Sequence, residues 1–274
     1  MTARIDVINL GVNELDAARE FYEGGFGGNV SAVADTLEVS LGPNASSLAL
    51  RVWDAVAASV GVRAHTSGFR AFTLSYILES ADDVDRTLDR LERHGGRVSK
   101  PPKNAAWGYS AYVTDPSGYL WKIASSKRRP LLGRREPATA NGHAINPQEV
   151  PITIGVADMR RAKEFYEQGL GLPVKKAFGS KFVMFSGEDG TSDLGMYKRE
   201  ALAKDAAVPP EGSGFRGFSV THVVDAPQRV DELLARVARA GAEIVRPPVG
   251  VGQGGYSASF ADLDGNLWQV TSRG

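Results

Sequence analysis

Two stretches decide the fold: DPSGYLWK, Asp115 to Lys122, and DLDGNLWQ, Asp262 to Gln269. In each, an Asp and a turn Gly precede an apolar run with Trp, the pattern of a tight turn feeding a strand. The residue after the Trp differs, Lys122 in one copy and Gln269 in the other. The stretch closes a longer repeat. INLGVNELDAAREFYEGGFG from Ile8 matches ITIGVADMRRAKEFYEQGLG from Ile152, and TSGFRAFTLSYILESADDVDRTLDRL from Thr66 matches GSGFRGFSVTHVVDAPQRVDELLARV from Gly212. The offset grows from 144 (8 to 152) to 147 (115 to 262), so the loops carry small insertions. Two homologous halves follow, residues 1–125 and 148–274, joined by a basic, then small and polar linker over 126–147.

Each half divides again. Alternating Ile5, Val7, then Ile8, Leu10 and Val12 suit a buried strand, and Ala17, Ala18, Phe21 and Tyr22 give a helical stripe closed by Gly24 and Gly25. Short strands follow near 28–33, 36–41 and 47–53. FTLSYIL then starts the same order again. Ser80 opens a helix with Asp83 three residues on, Val84, Leu88 and Leu91 form its buried stripe, and Gly95 and Gly96 end it. The second half repeats this, with Val230, Leu233, Leu234 and Val237 as the last helical stripe. The expected class is α+β: four βαβββ units, paired two by two into curved mixed sheets around cavities, with helices outside.

Lys plus Arg and Asp plus Glu both number 32, which argues against a nucleic-acid partner, and cysteine is absent, which excludes disulfides, thiolate nucleophiles and Cys metal sites. No apolar run approaches the ~18 residues of a membrane span, and the first residues read directly as a strand. A cytoplasmic protein with no membrane partner is expected. Four units in one chain can bury their sheet edges as a pseudo-dimer, so a monomer suffices and a homodimer stays open.

The chain resembles the vicinal oxygen chelate superfamily, the glyoxalase / bleomycin-resistance / extradiol-dioxygenase fold. The carriers are Gly11-VNELDAAREF-Tyr22, Gly155-VADMRRAKEF-Tyr166, and the D-x-x-G-x-L-W turn near the end of each half. The resemblance implies two tandem domains. It also implies family metal ligands (His, Gln or Glu) on the first and fourth strands of each unit. Those positions fall on Val7, Ala49, Thr73 and Lys122 in the first half, and on Pro151, Gly195, Ser219 and Gln269 in the second. None is His, Asp or Glu. Lys122 brings charge and no acceptor, and Gln269 lacks partner ligands. No metal and no other cofactor is therefore expected. The four His do not replace the missing ligands: His222 is turned to the helix-packed face, His94 ends a helix, His65 lies in a loop and His143 in the linker.

Strand alternation predicts what lines the cavities instead. The candidate ligand-binding residues are Asn9, Arg51, Thr73 and Lys122 from the first half and Thr153, Tyr197, Ser219, Thr221 and Gln269 from the second. Trp107, in a loop after PPKNAA, is a candidate stacking residue at a cavity mouth, while Trp121 and Trp268 point into the core. The first reading is a metal-free protein that sequesters a small, aromatic, partly anionic molecule, in the manner of resistance proteins. The alternative is a glyoxalase- or dioxygenase-like enzyme (lyase, isomerase or oxygenase) acting on a small carbonyl or aromatic substrate, with Lys122 as the candidate catalytic group. A third reading, an interaction module, requires both cavities to be filled by side chains.

Overall fold

The computed structural model describes residues 2–105, 107–130, 145–188, 190–252 and 254–273. Most of the expected linker, with His143, lies outside the described residues. Four βαβββ units are present. The first comprises β1 (Val7–Val12), α1 (Leu15–Arg19), β2 (Asn29–Val33), β3 (Thr36–Ser40) and β4 (Ser47–Val52). It is followed by a helix α2 (Trp53–Val60) and a short strand β5 (Thr66–Gly68). The second comprises β6 (Phe72–Leu78), α3 (Ala81–Arg93), β7 (Arg97–Ala105), β8 (Gly108–Thr114) and β9 (Leu120–Ser125). The third comprises β10 (Ile152–Val156), α4 (Met159–Glu164), β11 (Val174–Phe178), β12 (Phe182–Phe185) and β13 (Leu194–Lys198). Helix α5 (Arg199–Ala206) and strand β14 (Gly212–Gly214) follow it. The fourth comprises β15 (Phe218–Val224), α6 (Pro227–Arg239), β16 (Glu243–Val251), β17 (Gly255–Ala261) and β18 (Leu267–Ser272).

The units pair across the two halves. One eight-stranded sheet runs β16-β17-β18-β15-β1-β4-β3-β2 and joins the first unit to the fourth. The other runs β11-β12-β13-β10-β6-β9-β8-β7 and joins the third to the second. The junctions are antiparallel, with Asn9 opposite Ser219 and Thr73 opposite Thr153. The expected α+β architecture is present, but the grouping of cavity residues by half is corrected: Arg51 and Lys122 lie on different sheets. The repeat pattern carries no information on which units pair, since both pairings bury the same strand faces.

Local chemistry explains the elements. Ser80 caps α3: its hydroxyl accepts from the Asp83 N–H at 3.1 Å, and the Asp83 carboxylate accepts from the Ser80 N–H at 3.1 Å. Helix α1 runs on into a wider π turn, Glu20–Gly25, where the Phe26 N–H reaches Phe21 O, five residues back. That turn buries both Phe21 and Tyr22. The Tyr22 hydroxyl donates to Asp115 at 2.9 Å, and Tyr166 donates to Asp262 at 2.5 Å. The F-Y pair and the D-x-x-G-x-L-W turn of each half are therefore one hydrogen-bonded device. Asp115 Oδ1 also accepts the N–H groups of Ser117 and Tyr119, which closes the turn. Trp121 and Trp268 sit in the core, as expected.

Helices α2 and α5 were not expected. Val56, Ala57 and Val60 are the buried stripe of α2, and Gly61 ends it in the left-handed region at φ +83°. These helices lie on the sheet faces opposite the main core, where Ser259 Oγ donates to Val60 O at 2.8 Å. At the crossing, Tyr119 donates to the carbonyls of Gly11 (2.8 Å) and Gly217 (2.6 Å). Gly217 has φ +83°, and a Cβ there would collide with Trp53 and Tyr119, so only glycine fits. Among the described residues, no helix is long and apolar enough to cross a membrane.

Candidate functional site

The sheet of the second and third units curls on itself. Its edge strands are β7 and β11. Eight flat strands about 4.8 Å apart would separate those edges by roughly 34 Å. Yet Trp107, just past β7, and Phe178, at the end of β11, have ring centroids 5.0 Å apart. From that contact an aromatic run follows the concave face inward. Phe178 stacks on Phe182 at 6.2 Å, and Phe182 meets Tyr197 at 4.8 Å. Trp107 is 71% exposed, and its ring packs on Phe178.

The run ends on a charged cluster. Lys122 Nζ lies 2.6 Å from Asp205 of α5, and Lys100 Nζ lies 3.5 Å from the same carboxylate. The Tyr112 hydroxyl donates to Asp205 at 2.7 Å. Burial alone would raise the Asp205 carboxyl. The charge and hydrogen bond of Lys122, with Tyr112 and Lys100, outweigh it and hold Asp205 below the usual carboxylate range. Burial and the Asp205 charge push the Tyr112 phenol well up, and raise Tyr197 for the same two reasons. Thr73 and Thr153 are buried opposite each other on the central strands.

The sheet of the first and fourth units carries the other candidates, and they bond mainly to one another. Asn9 Nδ2 donates to Thr221 Oγ1 at 2.8 Å and to Ser219 Oγ at 3.2 Å. Gln269 Nε2 donates to Ser257 Oγ at 3.0 Å, and its Oε1 faces Thr221 Oγ1 at 3.5 Å. Arg51 Nη2 donates to Ala55 O in the first turn of α2 at 3.3 Å, while Arg51 Nε is buried without a partner. The expected candidates thus divide: Thr73, Trp107, Lys122, Thr153 and Tyr197 share one concave face, and Asn9, Arg51, Ser219, Thr221 and Gln269 share the other.

The family metal positions regroup in the same way. One sheet offers Val7, Ala49, Ser219 and Gln269, and the other offers Thr73, Lys122, Pro151 and Gly195. Neither set fits a divalent ion. The only amide among them is engaged by Ser257 and Thr221, and the only cation is paired to Asp205. Among the described residues no group of three or more His, Cys, Asp and Glu converges. His222 is buried on the helix side, with Nδ1 3.2 Å from Asp6, and His94 Nδ1 is 2.6 Å from Glu20.

Asp205, Tyr112, Phe178 and Phe182 escaped the sequence reading. Tyr112 follows from alternation once β8 and β9 are aligned, since it pairs directly with Lys122. Asp205 required α5 to be recognised, and its Leu202, Ala203 and Ala206 stripe was legible. Phe178 and Phe182 flank a two-strand turn whose register only the partner strand β13 fixes.

The model of the Glyoxalase/Bleomycin resistance protein/Dioxygenase superfamily matches residues 4–123 and 150–270. No curated protein matches the chain. Among solved structures, glyoxalase I from Zea mays is 19% identical with a TM-score of 0.69, over 99% of this chain and 92% of that one. A putative dioxygenase from Bacillus subtilis subsp. subtilis str. 168 is 14% identical with a TM-score of 0.62, over 99% and 85%. At these identities the likeness is one of fold.

Proposed function

The chain belongs to the Glyoxalase/Bleomycin resistance protein/Dioxygenase superfamily, and from that premise we propose that it is a metal-independent binding protein for a small, aromatic, partly anionic molecule. The ligand lies on the concave face of the second and third units. Its planar body stacks along Trp107, Phe178, Phe182 and Tyr197, and its acidic group meets Lys122. The observation that carries this reading is the aromatic run ending on two ammonium groups that share one carboxylate. Two Lys against one Asp leave a positive excess for an anion to use. Thr73 and Thr153 supply hydroxyls on the floor.

Binding is favoured over turnover by the protonation states. A general acid or base works best with a pKa near the working pH. Here Asp205 is held below its usual range and Tyr112 well above its own, so neither exchanges a proton readily near neutrality. The role is sequestration or delivery, by a cytoplasmic monomer in which the four units complete both sheets. Native mass spectrometry with elemental analysis of the untagged protein tests this. A retained or titratable aromatic acid without stoichiometric metal is expected. Stoichiometric Fe, Mn, Ni or Zn linked to an activity would overturn it.

A further inference from the structure

The two halves also meet in a small ribbon. Strands β5 and β14 pair antiparallel, with Ser67 opposite Ser213 and their hydroxyls 3.0 Å apart. These serines are equivalent in the repeat (213 − 67 = 146), so the ribbon lies on the pseudo-two-fold axis. Beside it lie two cavities, of about 340 Å³ and about 220 Å³, and Phe69 and Arg70 line both. The larger is walled mainly by apolar groups, among them Phe69, Phe72, Leu120, Val208 and Pro209. The smaller is lined by Arg70, Arg199 and Arg216.

The repeat shows what is particular here. In the first copy Arg70 lies over Trp53 (4.7 Å) and Tyr119 (4.3 Å), and its Nη2 donates to Ser117 O at 2.8 Å. In the second copy Arg216 makes the equivalent bond to Asp264 O. The two aromatic positions, however, hold Arg199 (199 − 53 = 146) and Asn266 (266 − 119 = 147). Arg199 keeps the backbone role of the indole it replaces: its Nε donates to Pro210 O at 2.9 Å, as Trp53 Nε1 donates to Ala64 O at 2.9 Å. Its Nη2 also donates to Gly212 O at 2.7 Å, so the guanidinium adds a second backbone tie and a charge where the first copy has an indole.

Among the described residues, none of the three arginines forms a salt bridge. Nη1 of Arg70 is buried without a hydrogen-bond partner. Glu211 lines the larger cavity, and two other acids nearby are engaged elsewhere. Asp115 is taken up by its turn and Tyr22, and Asp262 by its turn, Asn266 and Tyr166. Asp264, which lines the smaller cavity, accepts from the Ala157 N–H at 2.7 Å. Burial, with the charge of Arg199, disfavours the Arg216 guanidinium, which Asp262 and Asp264 only partly offset. Three guanidinium groups around the smaller cavity face one carboxylate there, Asp264, and leave a net positive charge suited to an anion.

We infer that this junction is a second binding site, for a small amphiphilic acid whose carboxylate meets Arg70, Arg199 and Arg216 and whose apolar body occupies the larger cavity. It is distinct from the concave aromatic face, and it does not depend on that assignment.

Calorimetric titration with cyclohexanecarboxylate and its neutral analogue cyclohexanemethanol tests it. Neither probe can stack on the aromatic run. The acid should bind at least about tenfold more tightly than the alcohol, the scale of one or two charge-assisted hydrogen bonds. Arg199→Gln places an N–H donor where Arg199 Nε meets Pro210 O and removes the charge, so it should fold and should weaken the acid by about tenfold. Trp107→Ala should leave the acid unaffected. Should Arg199→Gln not fold, the wild type still decides: salt must weaken the acid and not the alcohol. No binding of the acid, equal binding of both probes, or a loss confined to Trp107→Ala overturns the inference.

Discussion

Replacing Asp205 by Asn should lower stability and raise ligand affinity together. Asn keeps the shape and removes the charge that Lys122, Lys100 and Tyr112 share. The Asp205 side chain is 38% exposed and that of Lys122 27%, so solvent screens the pair and it contributes up to ~1 kcal/mol. The Tyr112 hydroxyl, on a residue only 1% exposed, exchanges a charged acceptor for a neutral one, which costs about 1 kcal/mol more. The sum, about 1–2 kcal/mol, corresponds to a fall in Tm of roughly 3–6 °C for a chain of this size.

The pH dependence fixes the cause. The folded-state pKa of Asp205 lies below its ordinary value of 3.8. Its stabilisation is therefore present above that unfolded value and is lost as pH falls through the lower folded one. The gap between wild type and Asp205→Asn should be full at neutral pH and should close in strong acid. Calorimetric melts across that range measure it. In the same variant, Lys122 and Lys100 are left to the ligand, and an aromatic carboxylate should bind several-fold more tightly. A variant as stable as wild type at neutral pH would refute the energetics. Unchanged or weaker carboxylate binding would show that Lys122 does not contact the ligand.

Trp107→Ala should leave Tm within about 1 °C, because the ring is 71% exposed, while weakening an aromatic ligand by about tenfold in a fluorescence titration. Asp115 is pushed up to about 6 by burial, against an ordinary 3.8, so the folded state holds its proton more tightly and this group's contribution to stability falls as pH rises between those values. Asp115→Asn retains an acceptor for the two turn N–H groups, so between pH 5 and 8 it should lose about 1–1.5 kcal/mol less stability than wild type in urea melts. A chain cut to residues 1–125 should not give a folded monomer, since β1 and β6 would each lose the central partner they have in β15 and β10. Size-exclusion chromatography should find a self-paired dimer or aggregate, and a folded monomer would contradict the pairing.

What the sequence made legible was whatever is local or repeated. The D-x-x-G-x-L-W turn fixed register at Lys122 and Gln269, and alternation turned Thr73, Thr153 and Tyr197 inward, though in separate halves rather than on the one face they share. Ser80 announced its helix because its cap is complete within four residues. The pairing of units was illegible, because Asn9 opposite Ser219 is a contact over 210 residues with no local consequence. Asp205 was missed for a related reason. An acid in a short helix reads as solvated surface until the helix is laid on a sheet that carries Lys122 83 residues away.

The pseudo-symmetry makes the two concave faces a comparison within one molecule. Equivalent positions carry Lys122 and Gln269, Tyr112 and Ser259 (both 147 apart), and Asp205 and Ser59 (146 apart). On one face all three members are charged or phenolic and bond to one another. On the other all three are neutral, and Ser59 and Ser259 bond instead to the carbonyls of Val56 and Val60 within α2. Such a trio changes as a unit, because a half-buried Lys without its Asp, or the reverse, is an uncompensated charge. The aromatic wall follows the same division, since Tyr197 and Trp107 correspond to Arg51 and Gly254. An exposed ring, a stacking wall and a charged floor occur together on one face and are absent together from the other. The charge pairing accounts for the trio, and the aromatic side chains beside it support the proposed single binding face.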